Sequence, residues 1–577
     1  MKGLWKYFKG YKKEAAAAPF MKLFEALLEL LIPFFVARII DVGIKENDTR
    51  TVWSMVGLMV LCGTVGMVFS VTSQYFSAKA AVGFSCAVRR DLYRRVLRLP
   101  RSESDVAGGS ALLTRLTADV DRLQNGVNLG LRLLLRSPFI VLGSVVFAYI
   151  KGAELGWIFL AAVPVLAVVI FVIILWGIPL FKKVQAKLDE LTRHTRDNLR
   201  GVRVIRAFRH ENEETESFDE VNNEHTRRTL FAGRISSLLN PLTYVIVNLA
   251  VILLVKYGAP AVDRGKLAQG DVIALYNYMS QILIELVKLA NLVVTLTKAA
   301  ACADRISATL ALPLEDDGTD VAFIAGKADA PAVEFRCAGF RYGGASGDSL
   351  EPVSFTLGHG ETVGILGGTG SGKTTLVNLI PRFYDATSGD VFVDGVNVKD
   401  YPVTSLRSKI AYVAQYAQLF AGTVAENIRW GKPDADDGEV RAALEAAGAL
   451  DFVESKEEGI NCAVEQGGRN FSGGQRQRLT IARALIRQPE ILILDDSFSA
   501  LDYATDLKVR ATVASLACRP ATVIISQRPS SVMSADKIIV LDDGKAVGIG
   551  THDELIENCG VYREIYESQY GGQDNGK

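Results

Sequence analysis

Residues 367–374, Gly367-Gly368-Thr369-Gly370-Ser371-Gly372-Lys373-Thr374, have the types and spacing to hold phosphate. Glycines in such a run let backbone N–H groups close around an anion, and Lys373 adds a point charge for the outer phosphate oxygens. Thr374 offers a hydroxyl to magnesium, and Thr375 follows it in a helix whose dipole favours negative charge. The apolar strand Thr362 to Leu366 leads into this loop, which is the context the chemistry requires. A second carboxylate-bearing strand, Ile491-Leu492-Ile493-Leu494-Asp495, is placed to hold the magnesium shell from the strand next to the loop. Many core strands end in Asp; the pairing with a phosphate loop is what makes this one specific. Together they point to ATP with Mg2+.

The elements that must position these groups are short β-rich runs alternating with helical patterns from residue 332 onward, an α/β domain. Before it, 311–331 has Pro313, several Asp residues and no period, and reads as a linker. The chain has 577 residues, so at about 150 residues per domain it holds roughly three to four domain-sized units. Lys+Arg and Asp+Glu are both 64, so no global basic field points to nucleic acid and no acidic excess points to disorder. A mean hydropathy of +0.20 with 22% charged residues is too apolar for a soluble protein, and the long apolar runs lie before residue 300. The seven cysteines include no CxxC and no Cys/His pairing, which excludes a zinc ribbon or disulfide scaffold and suits a reducing cytosol. Met1 to Lys13 lacks the apolar core and cleavage site of a removable signal.

Six stretches are long enough for a hydrocarbon core, which needs about 20 helical residues: 17–40, 53–78, 131–150, 155–181, 235–257 and 272–296. Glu25, Glu29 and Arg38 interrupt the first. The connections after the second and fourth stretches are long and basic, with Arg89, Arg90, Arg94 and Arg95 in one and Lys182, Lys183, Arg203 and Arg206 in the other. Positive charge stays cytoplasmic, so both termini and both long connections are expected inside a cell membrane. Ser102 to Asn125 and Thr192 to Asn222 are rich in helix formers and read as helical extensions of the spans.

On the last stretch, Asn277, Gln281, Glu285, Lys288, Asn291 and Thr295 recur at helical spacing along one face. Polar groups in hydrocarbon face a cavity or a partner helix. Two readings stay open: a wall of a substrate pathway, or an interhelical seam in which Glu285 and Lys288 neutralise each other. Glu25 and Glu29 are ambiguous between a substrate role and the cytoplasmic interface.

Phe471-Ser472-Gly473-Gly474-Gln475, about twenty residues before the Asp495 strand, resembles the signature motif of ATP-binding cassette (ABC) transporters. The surrounding residues resemble that family too: Tyr342 as the adenine-stacking aromatic, Gln415 as a glutamine-loop residue that also reaches the metal, and Ser499-Ala500-Leu501-Asp502 as the D-loop. Gly201 to Phe208 and Leu112 to Val120 are similar to the stretches around its two coupling helices. The resemblance covers nearly the whole chain and implies an exporter-type half-transporter. Its parts are an all-α six-helix transmembrane domain with long cytoplasmic extensions (1–310), the linker, and an α/β P-loop nucleotide-binding domain (332–577). In the family, Ser472, Gly473 and Gly474 face the ATP held by the opposite subunit, so a dimer is implied.

Two positions depart from the family pattern. Where a glutamate normally follows the Walker aspartate, this chain has Asp496. One methylene fewer withdraws the carboxylate by about 1.5 Å, and a general base must lie within roughly 3 Å of its proton. Gln527 stands where the family has the switch histidine, and an amide cannot carry a proton near neutrality. Binding determinants remain while hydrolytic ones fail. The resulting expectation is the degenerate-site subunit of a heterodimeric bacterial multidrug exporter, partnered by a second half-transporter, moving a small amphipathic drug, lipid or peptide across the bilayer. An importer on the same fold (for metal chelates, for instance), a homodimeric exporter with reduced ATPase and an ATP-gated regulator are the alternatives.

Overall fold

The computed structural model describes residues 2–315, 327 and 329–570; positions 316–326 and 328, the greater part of the expected linker, lie outside the described residues. The chain divides into two compact units.

The first unit, Met1–Leu97 with Gly109–Leu312, is helical. Long runs without strand or turn signals give helices Thr49–Val96, Gly156–Phe208 and Gln269–Ala311, of 48, 53 and 43 residues. At about 1.5 Å per residue the longest runs about 80 Å, well past a hydrocarbon core of about 30 Å. It stops at Arg209, whose left-handed backbone (φ 59°) turns the chain into helix Glu211–Ser237. Ion pairing of Lys187 with Glu224 (2.6 Å) and a His194–Ser217 hydrogen bond (3.0 Å) tie the two helices together. The expected helical extension is therefore present in the second long connection. In the first, the helix of the second span ends at Val96 and Gly108 (φ 73°) sets the short helix Arg101–Ala107 apart, but the helical run that starts at Gly109 continues into the third span, so an extension is present there too.

Among the described residues, five helical stretches are long and apolar enough to cross a bilayer: Thr49–Val96, Gly109–Lys151, Gly156–Phe208, Glu211–Asp263 and Gln269–Ala311. In Thr49–Val96 only 6% of the most apolar window is buried within the chain, so that face needs lipid or another protein surface to cover it. The helix carrying the first expected span, Lys12–Arg38, is not among the five, because of its charges. Three of those charges are paired: Lys22 pairs with Glu25 and donates to Ser70 Oγ at 3.1 Å, and Glu29 pairs with Arg136 at 2.6 Å.

The second unit is Pro313–Lys577 together with Arg98–Gly108, a grouping that differs from a boundary at residue 310. Within it Tyr384 donates to Asp105, Glu315 N–H donates to Arg98 O at 2.8 Å, and the Glu315 carboxylate pairs with Arg407 at 2.6 Å. One sheet has four antiparallel-paired strands, in the order Leu350–Leu357, Val333–Phe340, Ser388–Val393 and Val396–Asn397. A second has six, in the order Lys545–Gly550, Lys537–Asp542, Thr362–Gly367, Ala521–Ser526, Ile491–Asp495 and Ile410–Val413, parallel except at the first edge, and Gly422–Thr423 pairs with Ala463–Val464 in a small third sheet. Alternate residues of Ile491–Asp495 enter different cores, Ile491 and Ile493 on one face and Leu492 and Leu494 on the other. Burial on both faces is why that strand reads as an unbroken apolar run.

Candidate functional site

The six-stranded sheet corrects one expectation: the strand ending in Asp495 is not the neighbour of the phosphate-loop strand, because Ala521–Ser526 lies between them. That insertion sets the site. The carboxyl ends of three parallel strands deliver Gly367, Gln527 and Asp495 side by side, where open α/β sheets form their ligand crevices. A cleft of about 440 Å³ opens there, lined by Thr369 to Thr375, Tyr342, Gln415, Asp495, Asp496 and Gln527.

Local geometry explains the loop sequence. Gly370 and Gly372 have φ of 83° and 91°, and a Cβ on Gly372 would lie 2.7 Å from the carbonyl oxygen of Ser349. Lys373 opens helix Lys373–Asn378 and is 7% exposed. Its ammonium donates to the carbonyls of Gly367 (2.8 Å) and Gly368 and to Ser371 Oγ (3.3 Å). Burial pushes the Lys373 ammonium below the usual lysine range, opposed by the charges of Asp496 and Asp495. A desolvated cation held only by neutral oxygens is fitted to receive an anion.

Thr374 Oγ1 donates to Asp495 Oδ1 at 3.0 Å, and Tyr412 hydroxyl donates to Asp495 Oδ2 at 2.9 Å. A hydroxyl and a carboxylate in contact form an oxygen pair that suits Mg2+. Burial raises Asp495 above the usual aspartate range, against the hydrogen bonds from Tyr412 and Thr374 and the charge of Lys373. Burial also raises Asp496, and the neighbouring Asp495 charge adds to it. Asp496 sits in the left-handed region (φ 45°), its N–H bonded to Ile525 O at 3.1 Å, and its Oδ2 accepts from Gln415 Nε2 at 3.3 Å. Tyr342 stands at the cleft edge, its hydroxyl 3.2 Å from Thr375 Oγ1 and its ring edge-on to Phe340 and Tyr384.

Ser472, Gly473, Gly474 and Gln475 do not line this cleft. They start helix Gly473–Leu485 with a reciprocal cap: Gln475 N–H donates to Ser472 Oγ and Ser472 N–H to Gln475 Oε1. Ser472 and Gly473 are exposed, and a Cβ on Gly474 would meet Ala500 O at 2.9 Å. Asp502 also lies outside the cleft; it caps helix Tyr503–Ala514, accepting from Thr505 N–H at 2.9 Å and Oγ1 at 2.7 Å.

In the first unit, Glu285 is 2% exposed and accepts from Arg136 (2.7 Å), Ser137 Oγ (2.7 Å) and Lys288 (2.8 Å). Asn277 and Gln281 are half-buried and Lys288 exposed, so the polar stripe does not share one environment. Sequence reasoning missed Arg136, which stands on another helix and carries no spacing signal relative to Glu285. It missed Tyr412 as well, although alternation along Ile410–Val413 places that residue on the Asp495 face of the sheet.

The profile described as the ABC transporter transmembrane region matches residues 16–286, and the one described as ABC transporter matches residues 350–499. An uncharacterized ABC transporter ATP-binding protein of Mycobacterium tuberculosis is 36% identical over 98% of this chain and 97% of its own length. An ATP-dependent lipid A-core flippase of Haemophilus influenzae is 30% identical over 99% of this chain and 97% of its own. The solved structure of a bacterial Atm1-family ABC exporter with ATP bound superposes with a TM-score of 0.81 at 23% identity, covering 97% of this chain and 98% of that one.

Proposed function

The chain belongs to the ABC transporter family as an exporter-type half-transporter, and we propose that it pairs with a different half-transporter while its own cleft retains ATP and splits it slowly. The observation that carries this reading is a mismatch within one cleft. The binding groups are complete: Lys373 is buried and aimed at the loop, and Thr374 is joined to Asp495. The two hydrolytic positions hold Asp496 and Gln527 instead of a glutamate and a histidine.

In this reading Tyr342 stacks on adenine, residues 367–375 wrap the phosphates, and Thr374, Gln415 and Asp495 hold Mg2+. Magnesium, when bound, neutralises charge on the β- and γ-phosphate oxygens. Asp496, held back by Gln415, orients water poorly, and Gln527 can donate a hydrogen bond to a γ-phosphate oxygen but cannot take up a proton. The exposed start of the Ser472 helix and the Asp502 segment, both outside this cleft, complete the companion's competent site. The similarity to a lipid A-core flippase supports an amphipathic, lipid-like substrate ahead of a drug or peptide. The basic connections support an inner-membrane topology with both termini cytoplasmic.

Phosphate release tests the reading directly. The purified chain alone should turn over slowly, and the co-purified companion should restore hydrolysis. Fast turnover by a preparation free of any companion would overturn it in favour of a homodimeric exporter.

A further inference from the structure

Asp495 has two oxygens and two donors, one on each. Thr374 Oγ1 takes Oδ1, and Tyr412 takes Oδ2. The second donor is supplied by the sheet. Tyr412 is aligned with Ile493 in the parallel pairing of Ile410–Val413 with Ile491–Asp495. Side chains alternate along a strand, so Tyr412, Ile493 and Asp495 share one face, and the phenol reaches forward along the strand to the carboxylate. The ring is steadied by Phe383, edge-on at a centroid distance of 5.6 Å and an interplanar angle of 81°.

The torsion that orients an aspartate carboxylate is broad and nearly two-fold, so one hydrogen bond leaves it free to rock or flip. A second donor on the other oxygen removes that freedom, and a bond to an ionised acceptor is among the stronger kind. The Thr374 hydroxyl is claimed by the metal in the proposed Mg2+–nucleotide site. Tyr412 is the donor whose bond to Asp495 does not compete with that role.

We propose that Tyr412 is a positioning residue for the metal, its hydroxyl holding Asp495 in the orientation that receives Mg2+ beside Thr374. This rests on the reading of the cleft as a Mg2+–nucleotide site and assigns a further residue to it. The hydroxyl contributes nothing to the phosphate loop itself, so its effect falls on the metal-dependent part of nucleotide affinity.

The test uses the full-length chain in lipid nanodiscs and the substitution Tyr412→Phe, which keeps the ring and its contact with Phe383. ATP binding is measured by calorimetry in EDTA and then across a Mg2+ titration, and Mn2+ binding in the presence of ATP is followed by electron paramagnetic resonance. Tyr412→Phe should match the parent chain in EDTA while needing about tenfold more Mg2+ for half-maximal enhancement, equivalent to about 1.4 kcal/mol. Mn2+ affinity should weaken in parallel. An unchanged Mg2+ midpoint would overturn the proposal, and so would an equal loss of binding in EDTA, which would assign the hydroxyl to the fold. If the parent chain bound no ATP with or without Mg2+, the functional reading and this inference would both fall. Tyr412→Leu, which removes ring and hydroxyl together, should shift the Mg2+ midpoint no less than Tyr412→Phe; a smaller shift would also overturn the proposal.

Discussion

Restoring the two hydrolytic positions should convert the slow cleft into a working one. The backbone of Asp496 is fixed by its bond to Ile525 O at 3.1 Å, so a longer side chain cannot retreat and must carry its carboxylate outward. Asp496→Glu advances the carboxylate by about one carbon–carbon bond, roughly 1.5 Å, half of the roughly 3 Å within which a general base must work. A positioned base is worth about 10²- to 10⁴-fold, or about 3–5 kcal/mol of barrier at 1.36 kcal/mol per tenfold. Asp496→Glu alone should raise kcat by at least about tenfold, and Asp496→Glu with Gln527→His should approach the upper part of that range. KM for ATP should stay near the parent value, because Lys373, Thr374 and Asp495 are untouched. The left-handed backbone at Asp496 (φ 45°) suits Asp better than Glu, so melting temperature should fall slightly while the rate rises, which separates the two effects. The assay is phosphate release in nanodiscs by this chain assembled with a companion whose own catalytic glutamate is replaced by glutamine, so that turnover reports on this chain's cleft. No gain in kcat from either variant, with both folded and binding ATP, would refute the reasoning.

The remaining predictions concern asymmetry and buried charge. In the assembled heterodimer, Asp496→Asn should leave ATPase nearly unchanged while Ser472→Ala lowers it severely; the reverse order would show that this chain's own cleft is the working one. Arg136→Met would take the shared guanidinium from Glu285 and Glu29, leaving Glu285 with Lys288 and Ser137, and should lower stability by about 3 kcal/mol, seen as an early melting transition in detergent, with Arg136→Met/Glu285→Gln recovering part of the loss. Lys409, 6% exposed, pairs with Asp394 at 2.6 Å and Glu490 at 2.8 Å, so Lys409→Met should cost about 3–5 kcal/mol by the same argument. Burial opposes the Lys409 charge, but the bonds to Asp394 and Glu490 outweigh it and hold the ammonium above the usual lysine range. The stabilisation is therefore complete below about pH 10.4 and is lost only as pH rises past the folded-state value, so the Lys409→Met deficit should be equal at pH 6 and pH 9.

Motifs that lie within one stretch of chain are legible from residue order alone. The loop 367–374, the cap Ser472–Gln475 and the strand 491–495 each declare a local conformation through neighbours in sequence, and the long apolar runs declare helices that cross a membrane. Less is legible about the first span. Glu25, Glu29 and Arg38 read as interruptions, and the neutralisation of Glu29 by Arg136 depends on which helices touch. The polar stripe on the last span is likewise visible as a pattern, whereas the burial of Glu285 beside Arg136 and Ser137 is not.

Periodicity and residue type determined what each segment of this protein is, because helix, strand and phosphate loop follow from interactions a few residues long. Only the tertiary structure decided what meets what. Strand order placed Ala521–Ser526 between Gly367 and Asp495, which brings Gln527 into the cleft, and the pairing of Ile410–Val413 with Ile491–Asp495 put the Tyr412 hydroxyl on the carboxylate. Those outcomes rest on contacts between residues from 30 to 160 apart in sequence, whose partners are chosen by packing across the whole sheet and leave no mark on the local spacing.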